Sequence, residues 1–451
     1  MNIKLPHYPK CKDSGVEWLG KVPAHWDLKP LFTVANERNE SNRGMLEDNL
    51  LSLSYGRIIQ KDIDSNDGLL PKSFETYQIV HVGDVVFRLT DLQNDKRSLR
   101  TAIAEQRGII TSAYLALAPE KVLPQFINYL LRAYDVTKVF YSMGGGLRQS
   151  LKFSDVKRLP ILVPHPEEQT RITIFLDHET GKIDALVEEQ EWLIELLKEK
   201  RQAVISHAVT KGLNSDARMK DSGVGLLGEV PKHWVVTSVR RVIRRIEQGW
   251  SPECIARPAE PEEWGVVKSG CVNRGLFVED ENKALPEMLQ PIPEYEIHSG
   301  DVLMSRASGS PDLVGSTAYV KATRPHLMLS DKTFRIHLEP NFDPQFFVAV
   351  FNSKVMRFQI ERAISGAEGL ANNIPQSSIK GFSCVRPPLE EQRVIVEYLS
   401  MQCTALDALI SAASDTIELL QERRAALISA AVTGHFDVRD FRPQEASAVC
   451  Q

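Results

Sequence analysis

The chain repeats itself, and this constrains its fold more than any other feature. Lys12-Asp-Ser-Gly-Val-Glu-Trp-Leu-Gly-Lys-Val-Pro-Ala-His-Trp26 returns 208 residues later as Lys220-Asp-Ser-Gly-Val-Gly-Leu-Leu-Gly-Glu-Val-Pro-Lys-His-Trp234, identical at eleven of fifteen positions. A second set closes each half. Glu167-Glu-Gln169, Ile183-Asp-Ala-Leu186, Glu195-Leu-Leu197 and Ile205-Ser-His-Ala-Val-Thr210 correspond to Glu390-Glu-Gln392, Leu406-Asp-Ala-Leu409, Glu418-Leu-Leu420 and Ile428-Ser-Ala-Ala-Val-Thr433. Between these ends only landmarks survive: Tyr77 and Gly83-Asp-Val85 against Tyr295 and Gly300-Asp-Val302, and Pro124-Gln-Phe126 against Pro344-Gln-Phe346. Matched ends around divergent centres imply two related modules on one frame, each reading something different.

The closing segments have the marks of long helices. Pro166-Glu-Glu-Gln169 puts proline and acids into a first turn, where the missing N–H is harmless and the helix dipole favours negative charge. Leu389-Glu-Glu-Gln392 follows Pro388 in the same way. Heptads follow: Ile183, Gln190, Leu197 and Val204 at one seam position, Leu186 and Leu193 at the other. In the second copy Leu406, Ala413, Leu420 and Leu427 accompany Leu409. This is coiled-coil spacing. A helix over Lys182 to Val209 would be roughly 42 Å long at ~1.5 Å per residue. Alone it would be marginal, so its natural mate is its own duplicate, paired antiparallel. Gly181 is a candidate bend.

The net charge of −5 does not suggest a nucleic-acid partner, but its distribution does not exclude one. The segments 166–211 and 389–433 carry −4 each, which leaves +3 for the rest. Local groups such as Lys96-Arg97, Arg100 and Arg240-Arg241 with Arg244-Arg245 could meet phosphate. No run approaches ~18 apolar residues, so no membrane span is expected, and Met1-Asn-Ile-Lys-Leu-Pro-His7 lacks the apolar core of a secretory signal. Six cysteines without a Cys-x-x-Cys pair fit a reduced cytoplasm.

Trp18-Leu-Gly-x-Val-Pro-x-His-Trp26, the Gly-Asp-Val element, the Pro-x-Glu-Gln helix start and the Ile-Asp-Ala-Leu to Ala-Val-Thr helix, in order and in duplicate, resemble the specificity subunit of type I restriction-modification systems. The resemblance covers nearly the whole chain. It implies an α+β fold with two tandem-repeat target-recognition domains, separated by two long antiparallel coiled-coil helices with pseudo-two-fold symmetry. The expected boundaries are 1–165 and 213–387 for the recognition domains, 166–212 and 388–435 for the helical spacers, and 436–451 for a tail. The resemblance also implies double-stranded DNA, two methyltransferase subunits and restriction/translocase subunits as partners, with S-adenosylmethionine, ATP and Mg held by those subunits and no cofactor in this chain.

The residues agree with a non-catalytic role. No Gly-x-x-x-x-Gly-Lys-Ser/Thr phosphate loop occurs. Arg386-Pro-Pro-Leu389 lacks the polar first residue and the aromatic of an amino-methyltransferase tetrapeptide, and no spacing suggests a metal site. Asp84 and Asp301 read as turn residues opening buried strands. Two other readings stay open: a coiled-coil scaffold unrelated to DNA, which the negative charge permits, and a nuclease with an unrecognised site.

Base readout needs donors and acceptors that enter a groove, with Arg favouring guanine and Asn or Gln favouring adenine. In the first module the candidates are Ser54, Tyr55 and Arg57 in an alternating run, then Arg88 and Thr90 after the Gly-Asp-Val strand. The glycine loop offers Gly145 to phosphate and Arg148 and Gln149 to bases. In the second module Lys268, Ser269, Asn273 and Arg274 take the early position. Ser305 and Arg306 follow Gly300-Asp-Val302, and Asn372 and Asn373 stand where the glycine loop was. Ile183, Leu186, Leu193, Leu197, Val204, Leu406, Leu409, Leu420 and Leu427 are the candidates for helix pairing or partner contact.

Overall fold

The computed structural model describes residues 6–63, 71, 73–90, 99–143, 150–364 and 372–443. The chain divides into two compact units, Met1–Glu191 with Asp415–Gln451, and Trp192–Ser414. Two long helices, Pro166–Lys211 and Leu389–Val432, each begin in one unit and end in the other. They have 46 and 44 residues, roughly 65–70 Å each at ~1.5 Å per residue. The first is longer than its heptads alone predict, because Ile172, Phe175 and Leu176 ahead of them bury into the core of the first unit. The expected bend at Gly181 does not break the helix, which runs through it unbroken.

In the first unit, Cys11–Asp13 and Lys21–Pro23 form an antiparallel hairpin. A four-stranded antiparallel sheet follows, in the order Ala35–Glu37, Leu115–Pro119, Val85–Phe87, Thr101–Ile103. The helix Pro124–Val136 starts on a proline and buries Phe126, Ile127, Leu130, Leu131 and Tyr134, a helical periodicity that turns one stripe to the core. Trp26, Phe87 and Phe140 share that core with Ile428, Ala431 and Val432 from the end of the second long helix.

The second unit repeats this frame. Its hairpin is Met219–Asp221 with Glu229–Pro231, and its sheet runs Ile243–Gln248, Thr333–Leu338, Val302–Ser305, Thr317–Tyr319, in the same strand order. The single helix of the first unit is here two. Pro344–Phe351 is capped by the Asp343 carboxylate, and Lys354–Ala363 is capped by the Ser353 hydroxyl. Ile205, Ala208 and Val209 from the end of the first long helix join Trp234, Ile395 and Leu399 in the core.

Within the first unit Arg424 Nε lies 2.8 Å from Asp184 Oδ1, and within the second Arg201 Nε lies 3.1 Å from Asp407 Oδ1. Asp184 and Asp407 are duplicate positions, as are Arg201 and Arg424, so the same ion pair is made once in each unit. Ile183, Leu197 and Leu406 are buried, and Val204, Leu420 and Leu427 half-buried. Leu186, Leu193 and Leu409 are 45, 39 and 55% exposed, so the second row expected from the heptads is not covered by the chain itself. The reason is geometric: a straight helix drifts ~20° per heptad from a strict seven-residue repeat, and one row faces the core.

One helix, Leu389–Val432, contains an 18-residue stretch of mean hydropathy 1.3, long and apolar enough to cross a membrane by length and composition alone. Counting uninterrupted apolar residues misses this stretch. Leu399 and Leu406 are buried, and Asp407 is ion-paired.

Candidate nucleic-acid interface

The repeated motifs meet in space, and most of their contacts recur in both units. In the first, Glu168 accepts from Tyr8 at 2.7 Å and lies 2.8 Å from His25 Nε2. In the second, Glu391 lies 2.8 Å from His233 Nε2. Burial, reinforced by Glu168, pushes the Tyr8 hydroxyl far above its ordinary range, so it remains a donor. Gln169 accepts from Leu123 N and donates to Pro164 O, and Gln392 accepts from Asp343 N and donates to Pro387 O. Lys12 and Lys220 donate to the carbonyls of Trp26 and Trp234. Gly212 and Gly434 sit at the two helix ends with φ of +73° and +75°, packed on Trp234 and Trp26 respectively. The Pro-x-Glu-Gln and His-Trp motifs are therefore two sides of one joint.

Asp84 and Asp301 each close a turn, accepting from the backbone of His81 and His298. Each also meets an arginine: Arg38 binds both oxygens of Asp84 at 2.9 Å, and Arg335 Nε lies 3.3 Å from Asp301. Their role is structural.

On this frame the first unit carries the hairpin Leu51–Ser54 with Arg57–Gln60, joined only by Tyr55 and Gly56. Both have positive φ, +46° and +76°, as a two-residue type I′ turn requires. Tyr55 is 78% exposed, Arg57 is exposed and Ser54 half-buried. The root is fixed by Arg132, which donates to the carbonyls of Gly56 and Thr101. Burial, and next the nearby Arg424, lower Arg132 from its ordinary value. Arg88 and Thr90 lie half-buried after the strand Val85–Phe87, and their carbonyls both accept from Arg100 Nη1. Arg100 is fully buried, which removes it from the surface groups expected to meet phosphate. Gly145, Arg148 and Gln149, with Lys96 and Arg97, lie outside the described residues.

The second unit places its candidates differently. Lys268 and Ser269 border a cleft of about 660 Å³ whose wall also holds Ser251, Cys254, Lys283, Ser308 and Lys332. Asn273 and Arg274 belong to the 3-10 turn Ser269–Gly275. Asn372–Asn373 pairs antiparallel with Ala307–Ser308 beside the cleft. Arg306 donates to Asp331 O at 3.1 Å and lies over the Phe334 ring, bracing the loop. Ser305 is a correction: it is fully buried, because the strand that Asp301 opens runs on through it with Thr333 as partner. Lys283 and Lys332 escaped the sequence reading because they reach the cleft from separate parts of the chain. The only available signal was alternation along Asn282–Ala284.

Among the described residues no group of three or more His, Cys, Asp or Glu side chains could hold a metal ion. Cys271 and Cys384 are buried, and burial pushes each thiol up to about 12.

No protein-family model matches the chain. It is 32% identical to the type I restriction enzyme EcoEI specificity subunit of Escherichia coli over 42% of its own length and 32% of that relative's, so this match spans about a third of the relative. It is 24% identical to the type I restriction enzyme StySPI specificity subunit of Salmonella potsdam over 92% of this chain and 90% of that one. A solved structure concerned with complex assembly and conformational transition of the type I R-M system matches 92% of the chain and 99% of its own, with a TM-score of 0.66 at 15% identity, and so shares its fold. The resemblance carried by the duplicated motifs therefore holds: the chain is similar to type I restriction enzyme specificity subunits along nearly its whole length.

Proposed function

We propose that this chain is the DNA sequence-specificity subunit of a type I restriction-modification complex, each unit binding one half of a bipartite target. One observation carries the reading: the two units share the main contacts of their frame, yet present different polar surfaces at the same place on it. The likeness to specificity subunits over nine-tenths of the chain supports it. Recognition residues 1–165 and 213–387 read DNA, and the long helices at 166–212 and 388–435 act as antiparallel spacers between them. The ion pair made once in each unit supports that pairing.

In the first module Tyr55 and Arg57 lead, and Arg88, Thr90, Gly145, Arg148 and Gln149 are the further candidates. In the second, Lys268 and Ser269 line the cleft, Asn372 and Asn373 pair beside it, and Asn273 and Arg274 follow on the 3-10 turn; lysines suit phosphate and asparagines suit adenine. Catalysis belongs to partner subunits. The exposed Leu186, Leu193 and Leu409 support docking of two methyltransferase subunits, which bring S-adenosylmethionine, and restriction subunits bring ATP and Mg. The setting is the cytoplasm.

The test is selection from random-sequence duplex by this chain assembled with its methyltransferase subunits. Two short half-sites at fixed spacing are expected. Enrichment of no sequence would leave the coiled-coil scaffold as the better reading.

A further inference from the structure

We propose that Tyr55 is a stacking wedge, whose ring inserts at a base step of the duplex in the half-site read by the first unit. This rests on the specificity reading above and adds the mode of contact. Two-residue type I′ turns select Asn, Asp or Gly at their first position, because φ is positive there. A bulky aromatic at +46° is a conformational outlier. Nothing within the described residues offsets it: Tyr55 is 78% exposed, and no side-chain hydrogen bond or ring contact involves it. An Asn-Gly turn would close the same hairpin with less strain, so the ring is kept for something outside the chain.

The surroundings suit a rigid probe. A Cβ on Gly56 would lie 2.7 Å from Leu99 Cβ, so the turn is pressed against its own unit, and Arg132 holds the Gly56 carbonyl from below. Arg57 is exposed and Ile59 is 40% exposed on the strand that leaves the turn. A cation for phosphate and an apolar side chain thus flank the ring. Wedges of this kind partly unstack a base step and so read how easily it deforms. In the second unit the corresponding strands Gly265–Val267 and Asn282–Ala284 are joined by residues 268–281, which carry no aromatic at a tight tip, only Phe277 packed on the core. The wedge acts on one half-site only.

The experiment uses the chain assembled with its methyltransferase subunits, and duplexes carrying its motif with a fluorescent purine analogue that brightens on unstacking, placed in turn at each step. Apart from the methylated base of each half-site, which the methyltransferase subunits extrude, brightening is expected at one further step of one half-site. Tyr55→Phe should keep it. Tyr55→Asn should abolish it and weaken binding about 10-fold, while the thermal midpoint stays level or rises, since Asn tolerates positive φ. Split-motif binding without brightening at any such further step, or Tyr55→Asn binding as wild type, overturns the wedge and leaves the specificity reading intact. A fall of several degrees in the midpoint of Tyr55→Asn also overturns it, by making the ring structural. Absence of any split-motif binding would instead overturn the specificity reading itself.

Discussion

At one place on the shared frame, the first unit turns its chain with Tyr55 and Gly56 and the second uses residues 268–281, which wind into a 3-10 turn and wall a lysine-bordered cleft. At the joint the two units make the same contact: His25 on Glu168 and His233 on Glu391, both at 2.8 Å. The difference teaches where variation is tolerated. The joint packs around the fully buried Trp26 and Trp234, and its Glu and Gln side chains each have specific partners, so changes there leave unsatisfied groups. The connection between the two strands is a surface loop on a fixed scaffold, free to differ in length and chemistry.

If the frames are equivalent, damage to them should be equivalent. Trp26→Ala and Trp234→Ala each empty a fully buried site and should each cost ~3–5 kcal/mol in chemical denaturation; a large cost in one and a negligible cost in the other would break the equivalence. Gln169→Ala and Gln392→Ala each strand backbone groups at the joint, with an expected cost of ~1–3 kcal/mol apiece. Arg132→Gln sharpens the contrast between loops. Amide exchange across residues 51–60 should speed up while residues 265–284 keep their protection, and readout of the second half-site should be unchanged. The smallest effect belongs to the ion pairs. Arg424→Ala and Arg201→Ala should each cost less than ~1 kcal/mol, because the pairs are partly exposed.

The frame was legible in the sequence because duplication marks it twice. Glu168, Gln169, His25 and Trp26 stand out only because Glu391, Gln392, His233 and Trp234 repeat them. The surface proposed for recognition was legible in part. Alternation at Ser52 and Ser54 signals a strand-like run, but it does not say that the chain turns back at Tyr55 with positive φ. Ser305 was misread because a buried strand and a loop-facing strand end look alike until the partner Thr333 is known. Lys283 and Lys332 join Lys268 only through sheet pairing, which local patterns do not encode. The heptads located the long helices, but Leu186, Leu193 and Leu409 are exposed, since the helical period and a seven-residue repeat drift apart.

The central claim is that each unit reads its own half of a split site from a common frame. It is tested most directly by replacing residues 213–387 with the corresponding region of a relative and sequencing the methylome of cells that carry the hybrid with its methyltransferase. The account predicts that one half of the methylated motif changes while the other half and the spacing remain. A motif that changes in both halves at once, from a hybrid that still methylates, would contradict it.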